Sequence, residues 1–147
     1  MNINVTPESS NDDLVARRSK AIARGIGMAA PVFIQNALNA EMWDVEGNRF
    51  IDFGGGIAVL NTGHRNPTVM KRVQEQIDAV THTCMMVTPY VTAVELAEKL
   101  NELAPISGDN KCVFVTTGAE AVENTIKIAR AHTGRSDVIA FHGGFHG

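Results

Sequence analysis

A glycine turn at Thr117-Gly118-Ala119 is where residue types and spacing in this sequence best suit ligand chemistry. It follows the apolar run CVFVT and precedes AEAVENTIKIAR, whose apolar residues recur at helical spacing. A helix that begins directly after a buried strand offers unpaired N–H groups and the positive end of its dipole, which together bind phosphate. The pattern therefore predicts an anion site at Gly118 and Ala119. Many such turns bind nothing, and TTGAEA matches neither of the common nucleotide-binding glycine loops.

A glycine–histidine loop, HGGFHG at 142–147, follows a second apolar run, DVIAF. Strands at 112–116 and 137–141 around one helix would form a βαβ unit with parallel strands and a right-handed crossover. Both loops would then open at the carboxyl edge of the sheet, where ligands of α/β proteins bind. Phe145 either stacks on a flat ring there or packs in a core. His142 and His146 lack an evident third ligand, so the pattern does not favour a metal site.

The segment before these loops predicts a β-hairpin and a glycine corner. In EMWDVEGNRFIDF, two alternating stretches flank EGN, and we expect Trp43 and Phe53 on the buried face. The extended run VFIQNAL precedes the hairpin. The triple glycine at 54–56 follows it and either lets a ligand approach the backbone closely or makes a sharp corner.

Three further helices have recognisable ends. The first is predicted from about Asp12 to Ala23, with Ser10 or Asn11 as its cap. Another begins at Asn66-Pro67, because proline suits the first helical position. A third begins at Thr88-Pro89. Apolar stripes mark the last two helices: Val69, Val73, Ile77 and Val80 on one, and Leu96, Leu100 and Leu103 on the other.

Composition limits the classes of protein to consider. The 147 residues carry a net charge of −3 with both signs interspersed, which argues against nucleic acid as a partner. No apolar run has membrane-spanning length, and the polar, acidic N-terminus is unlike a signal peptide. Cys84 and Cys112 match no metal or redox spacing, which favours buried thiols and a cytoplasmic location.

Three motifs together resemble a known family. IDFGGGIAVLNTGHRNP, VTTGAEAVENTIKIAR and IAFHGGFHG, with the hairpin WDVEGNRFIDF before them, look like the N-terminal part of class III pyridoxal-phosphate-dependent aminotransferases. The resemblance is strongest to those that act on 4-aminobutyrate, and it runs from about residue 12 to residue 147. It implies an α/β fold, the incomplete N-terminal portion of a fold type I transferase. Residues 1–60 would be the arm and hairpin of the small domain, and 61–147 the beginning of the large cofactor-binding domain.

Site residues carry over from this resemblance position by position. Gly118 and Ala119 match the backbone pair that holds the phosphate of pyridoxal 5′-phosphate, although the family usually has Ser where this chain has Ala119. Phe145 matches the aromatic residue that stacks on the cofactor ring, and His146 follows it in the same loop. Ile57 matches a position that lines the substrate pocket near the subunit boundary.

The resemblance also implies a reaction. The parent enzyme would transfer the amino group of 4-aminobutyrate or a similar ω-amino acid to a 2-oxo acid such as 2-oxoglutarate, as a homodimer or larger homo-oligomer. The family's Schiff-base lysine and its ring-pairing aspartate are expected beyond residue 147, so no catalytic residue is assigned here and the isolated chain is predicted to be inactive. Two alternatives remain: a class III enzyme for ornithine, acetylornithine or a diamine, and a catalytically dead module that binds phosphate or a partner.

Overall fold

The computed structural model describes residues 9–145, which form two compact units, one ending at His82 and the other beginning at Thr83. The first contains α1 (Asn11–Ala21), β1 (Ile34–Leu38), β2 (Glu41–Asp44), β3 (Arg49–Ile51), α2 (Gly55–Ala58) and α3 (Pro67–Ala79). The second contains α4 (Val91–Leu103) and α5 (Gly118–Thr133). The domain boundary expected near residue 60 stays a prediction.

Local capping signals place the ends of the helices. Ser10 accepts a hydrogen bond from the Asp13 N–H at 3.1 Å, and the Asp13 carboxylate accepts one from the Ser10 N–H at 3.2 Å. This reciprocal pair starts α1 where the sequence predicts. Asn66 caps α3 and Pro67 occupies its first turn, also as predicted. The α4 helix begins at Val91, two residues after the predicted proline.

The hairpin is confirmed, and it belongs to a three-stranded antiparallel sheet in the order β1-β2-β3. Gly47, at φ 84°, makes the turn between β2 and β3. Trp43 is half-buried in β2. The prediction that Phe53 packs on a buried face was wrong: its side chain is 96% exposed. Phe53 lies beyond the end of β3, where strand alternation no longer directs a side chain toward the sheet.

A buried carboxylate joins α1 to the hairpin. Asp44 is 1% exposed, and its oxygens accept hydrogen bonds from the Asn11 side chain at 2.9 Å and from the Asn48 side chain at 3.0 Å. The N–H groups of Glu46 and Asn48 donate to it as well, at 3.0 and 2.8 Å. These donors satisfy the carboxylate, as a buried charge requires. They also hold the beginning of α1 against the turn of the hairpin.

The predicted βαβ unit is only partly present. The central helix α5 forms and ends at Gly134 in the left-handed conformation, φ 68°, as the sequence predicts. The segments 112–116 and 137–141, however, are not strands, and within residues 9–145 no backbone hydrogen bond joins them to each other. A strand exists through its ladder to a neighbour, and β-branched composition supplies the propensity without supplying that neighbour. The prediction of two parallel strands joined by a right-handed crossover was therefore wrong.

The apolar stripes of α3 and α4 lie on the surface. Val69 and Val73 of α3, and Leu96 and Leu100 of α4, are all exposed. Among the described residues no apolar side chain is buried. No helix between residues 9 and 145 is both long enough and apolar enough to cross a bilayer.

Candidate functional site

The start of α5 is organised by a capping box. Thr117 Oγ1 accepts from the Glu120 N–H at 3.1 Å, and Glu120 Oε2 accepts from the Thr117 N–H at 2.9 Å. Glu120 Oε2 also accepts from the Thr116 N–H at 2.9 Å. Hydrogen bonds from Thr116, followed by the backbone of Thr117, lower the pKa of the Glu120 carboxyl. Glu120 is therefore ionised at neutral pH, with its charge directed back toward the backbone that precedes the helix.

Two donors of the first turn remain open. A helix begins with N–H groups that have no acceptor within the helix. Glu120 and Thr117 satisfy each other, and the Ala121 N–H donates to the Thr117 carbonyl at 3.1 Å. Within residues 9–145, the N–H groups of Gly118 and Ala119 make no hydrogen bond to the protein. These are the two groups at which the sequence predicts an anion, and their site role stays a prediction.

The glycine–histidine loop forms a turn around Gly143, which has φ 73°. The Gly144 N–H donates to the Phe141 carbonyl at 3.1 Å and closes the turn. Phe145 follows with its side chain 95% exposed, so its ring is open to a partner. Phe145 and Gly118 belong to the same unit, but the structure does not bring their loops to a common sheet edge, because 112–116 and 137–141 are not strands. His146 lies outside the described residues.

Ile57 lies in the other unit, in an unusual backbone segment. The short segment α2, from Gly55 to Ala58, is not a regular right-handed helix: all four residues have positive φ, and Ile57 itself has φ 63°. Its side chain is 96% exposed. Gly55 to Ala58 thus form a sharp, left-handed corner at the end of the triple glycine, and the Ile57 side chain is exposed on it.

Sequence reasoning missed the pair that supports this corner. Asp52 Oδ1 accepts from the N–H groups of Gly54 and Gly55 at 3.0 and 2.8 Å. Asp52 Oδ2 lies 2.7 Å from Nε2 of His64. The bond from the Gly55 N–H, and then that from His64, lower the pKa of Asp52 although burial opposes them. An aspartate shortly before a glycine run is a known turn signal, but nothing in the sequence connects it to His64.

Between residues 9 and 145, no group of three or more His, Cys, Asp or Glu side chains is arranged to hold a metal ion.

The sequence matches the family described as aminotransferase class-III over residues 21–147. It is 55% identical over 138 residues to a 5-aminovalerate aminotransferase of Pseudomonas putida. The aligned region covers 94% of this chain and 32% of that protein. It is 50% identical over 139 residues to a 4-aminobutyrate aminotransferase of Escherichia coli, covering 95% of this chain and 33% of that protein. The chain thus spans about a third of the length of the curated relatives it matches.

Solved structures are similar as well. An omega-transaminase from Sphaerobacter thermophilus superposes with a TM-score of 0.82 and 29% identity, over 100% of this chain and 34% of that one. An acetylornithine aminotransferase from Elizabethkingia anophelis superposes with a TM-score of 0.72 and 26% identity, over 84% of this chain and 31% of that one. The backbone of this chain is therefore that of an N-terminal portion of these α/β enzymes.

Proposed function

This chain belongs to the class-III aminotransferases, and from this premise we propose that the protein carrying it transfers the amino group of an ω-amino acid to a 2-oxo acid. The donors we propose are 4-aminobutyrate and its longer homologue 5-aminovalerate, with 2-oxoglutarate as an acceptor. Two relatives at 50% identity or more are named for these donors, which supports the choice. Because the chain spans a third of their length, the activity is a proposal for the whole protein.

The cofactor of this family is pyridoxal 5′-phosphate, which when bound supplies an electron sink for amino transfer. We propose that the N–H groups of Gly118 and Ala119 donate to its phosphate. The observation that carries the proposal is that these two N–H groups of the first turn have no acceptor in the described residues, whereas Thr117 and Glu120 bond each other. The positive end of the α5 dipole favours an anion at the same place. Ala119 offers its N–H alone, since it has no hydroxyl.

Three further site roles belong to this proposal. We propose that Phe145 stacks on the cofactor ring, supported by its exposed side chain next to a tight glycine turn. His146 would adjoin the cofactor in the same loop. Ile57 would contact the amino donor, supported by its exposed side chain on a strained corner.

Assembly and location are part of the same proposal. A homodimer or larger homo-oligomer is supported by the exposed apolar stripes of α3 and α4, since exposed apolar surface of this kind marks interaction sites. Cys84 is half-buried and Cys112 is exposed, so the prediction of buried thiols was wrong. Both are nevertheless free thiols, which suit a reducing compartment and support a cytoplasmic location.

Amino transfer is tested directly by incubating the full-length protein with 4-aminobutyrate or 5-aminovalerate and 2-oxoglutarate. We expect glutamate to form in proportion to donor consumed. If neither donor reacts while another amine does, the proposed substrate class is wrong.

The phosphate site is tested by Gly118→Pro. Proline is tolerated at the first helical position, so the helix should remain, but one N–H group that could bind phosphate is lost. The preceding residue, Thr117, has the extended backbone (φ −138°, ψ 157°) that a following proline requires. A hydrogen bond to a charged group contributes about 1.5–3 kcal/mol, so cofactor affinity should fall roughly tenfold or more. Gly118→Ala is the matched control, because it keeps the N–H. Equal affinity in both variants would contradict the assignment.

A further inference from the structure

The corner between Gly54 and Ala58 holds a costly backbone conformation. Gly55, Gly56, Ile57 and Ala58 have φ of 48°, 64°, 63° and 60°. Positive φ is a genuine outlier for a β-branched residue such as Ile57. Strained residues of this kind persist only where surrounding contacts hold them, and they cluster at functional sites. The contacts that hold this corner are therefore informative.

Asp52 supplies the first of those contacts. Its Oδ1 accepts hydrogen bonds from two successive N–H groups, those of Gly54 at 3.0 Å and Gly55 at 2.8 Å. The corner then closes on itself, because the N–H groups of Ala58 and Val59 donate to the carbonyls of Gly54 and Gly55 at 3.0 and 2.8 Å. The position of the corner relative to the end of β3 thus depends on where the Asp52 carboxylate lies.

His64 fixes the other oxygen of that carboxylate. Its Nε2 lies 2.7 Å from Asp52 Oδ2, and since an ionised carboxylate only accepts, Nε2 carries the donated proton. The backbone of His64 is anchored in turn by paired bonds with Asn39, at 3.0 and 2.8 Å. The close approach requires glycine at 63, because a Cβ there would meet the Asn39 backbone at 3.0 Å.

We propose that Asp52 and His64 act as positioning residues for amino-donor specificity: together they fix the strained corner, and with it the place of Ile57. The proposal deepens the proposed function and rests on it for the donor. Neither residue needs to touch the donor. Their effect on the corner is carried by a chain of hydrogen bonds. The Asn39–His64 bridge holds His64, His64 holds the Asp52 carboxylate, and that carboxylate holds the Gly54 and Gly55 amides.

The first readout is structural and independent of activity. In the full chain, amide hydrogen exchange of Gly54 and Gly55 should accelerate in Asp52→Ala and in His64→Ala. His64→Gln should keep most of the protection, because its side-chain N–H can still donate to Asp52. Asp78→Ala is the matched control, since that carboxylate accepts a bond from Gln74 at 2.8 Å on the exposed face of α3 and should leave both glycines unaffected.

The second readout is kinetic and uses the full-length protein. Misplacing a substrate contact by about 1 Å can lower rate a hundredfold, so we expect kcat/KM for the ω-amino donor to fall roughly ten- to a hundredfold in His64→Ala. His64→Gln should recover most of it, and cofactor affinity should stay unchanged in both. If His64→Ala keeps donor kcat/KM, or cofactor affinity falls in parallel, the positioning role is overturned.

The two proposals can fail separately. Should the unmutated protein transfer no amino group from ω-amino acids, the proposed function and the donor specificity fail together, and glycine exchange still decides whether the pair fixes the corner. Should transfer proceed while glycine exchange is the same in every variant, only the role of Asp52 and His64 is wrong.

Discussion

The side-chain amide of Asn11 joins the first helix to the hairpin through Asp44. Its Nδ2 donates to Asp44 Oδ2 at 2.9 Å, while its Oδ1 accepts from the Phe33 N–H at 2.8 Å. The Asn11 N–H also donates to Glu46 at 2.8 Å. One residue in the first turn of α1 thus contacts both β2 and the chain that leads into β1. The position of α1 depends on the carboxylate at the centre of this network.

That dependence predicts a response to acid. Burial raises the pKa of Asp44, but hydrogen bonds from Asn48, Asn11 and the Glu46 N–H outweigh it, and the pKa lies below its ordinary value of 3.8. A lowered pKa means that the stabilisation is present above pH 3.8 and is lost as pH falls through the lower, folded-state value. The Glu46 and Asn48 N–H groups both donate to Asp44 Oδ1, so their protection from amide exchange, relative to the unfolded chain at the same pH, should fall over that range. Asp44→Asn should remove the pH dependence, and an unchanged acid response in this variant would contradict the assignment.

The capping box of α5 predicts a local loss of stability in Thr117→Ala. Losing an N-cap hydroxyl costs about 1 kcal/mol, so amide exchange in the first turns of α5 should accelerate roughly fivefold. Thr125→Ala is the control: that hydroxyl donates to a carbonyl one turn earlier in the same helix, at 2.8 Å, and caps nothing. Equal acceleration in both variants would show that Thr117 does not cap α5.

If Ile57 contacts the donor, its size should set the preferred donor length. Ile57→Ala removes apolar volume, and one methylene in a binding pocket is worth about 1–3 kcal/mol of discrimination. We therefore expect the ratio of kcat/KM for 5-aminovalerate to that for 4-aminobutyrate to rise by roughly tenfold. Val59→Ala is a nearby control, since it also truncates an exposed apolar residue. An unaltered ratio in Ile57→Ala would remove this residue from the donor site.

Features of the fold with local causes were predictable from the sequence. Ser10, Asn66-Pro67 and Gly134 act on backbone groups within one turn, and each marks a helix end that the structure shows. The open amides of Gly118 and Ala119 follow from the same local logic, because the identity of the first-turn residues decides which donors are satisfied.

Features that require a distant partner were not predictable. The runs at 112–116 and 137–141 have strand composition, but a strand forms only where another segment pairs with it. The contact between Asp52 and His64 joins residues twelve apart across a corner of unusual backbone, which no spacing rule anticipates. Phe53 was misplaced because alternation was extended past the end of its strand.

The exposed apolar stripes predict that the 147-residue chain associates with itself when isolated. Residues 9–145 bury no apolar side chain, and α3 and α4 carry theirs on the surface, so water is displaced only when such faces meet another surface. We expect sedimentation velocity to show oligomers or aggregates and thermal unfolding to be broad. Ile77→Lys, which places a charge on the α3 stripe, should reduce association, whereas Gln74→Lys adds the same charge outside the stripe and should reduce it less. A monodisperse monomer with one sharp transition would show that the chain closes a core of its own.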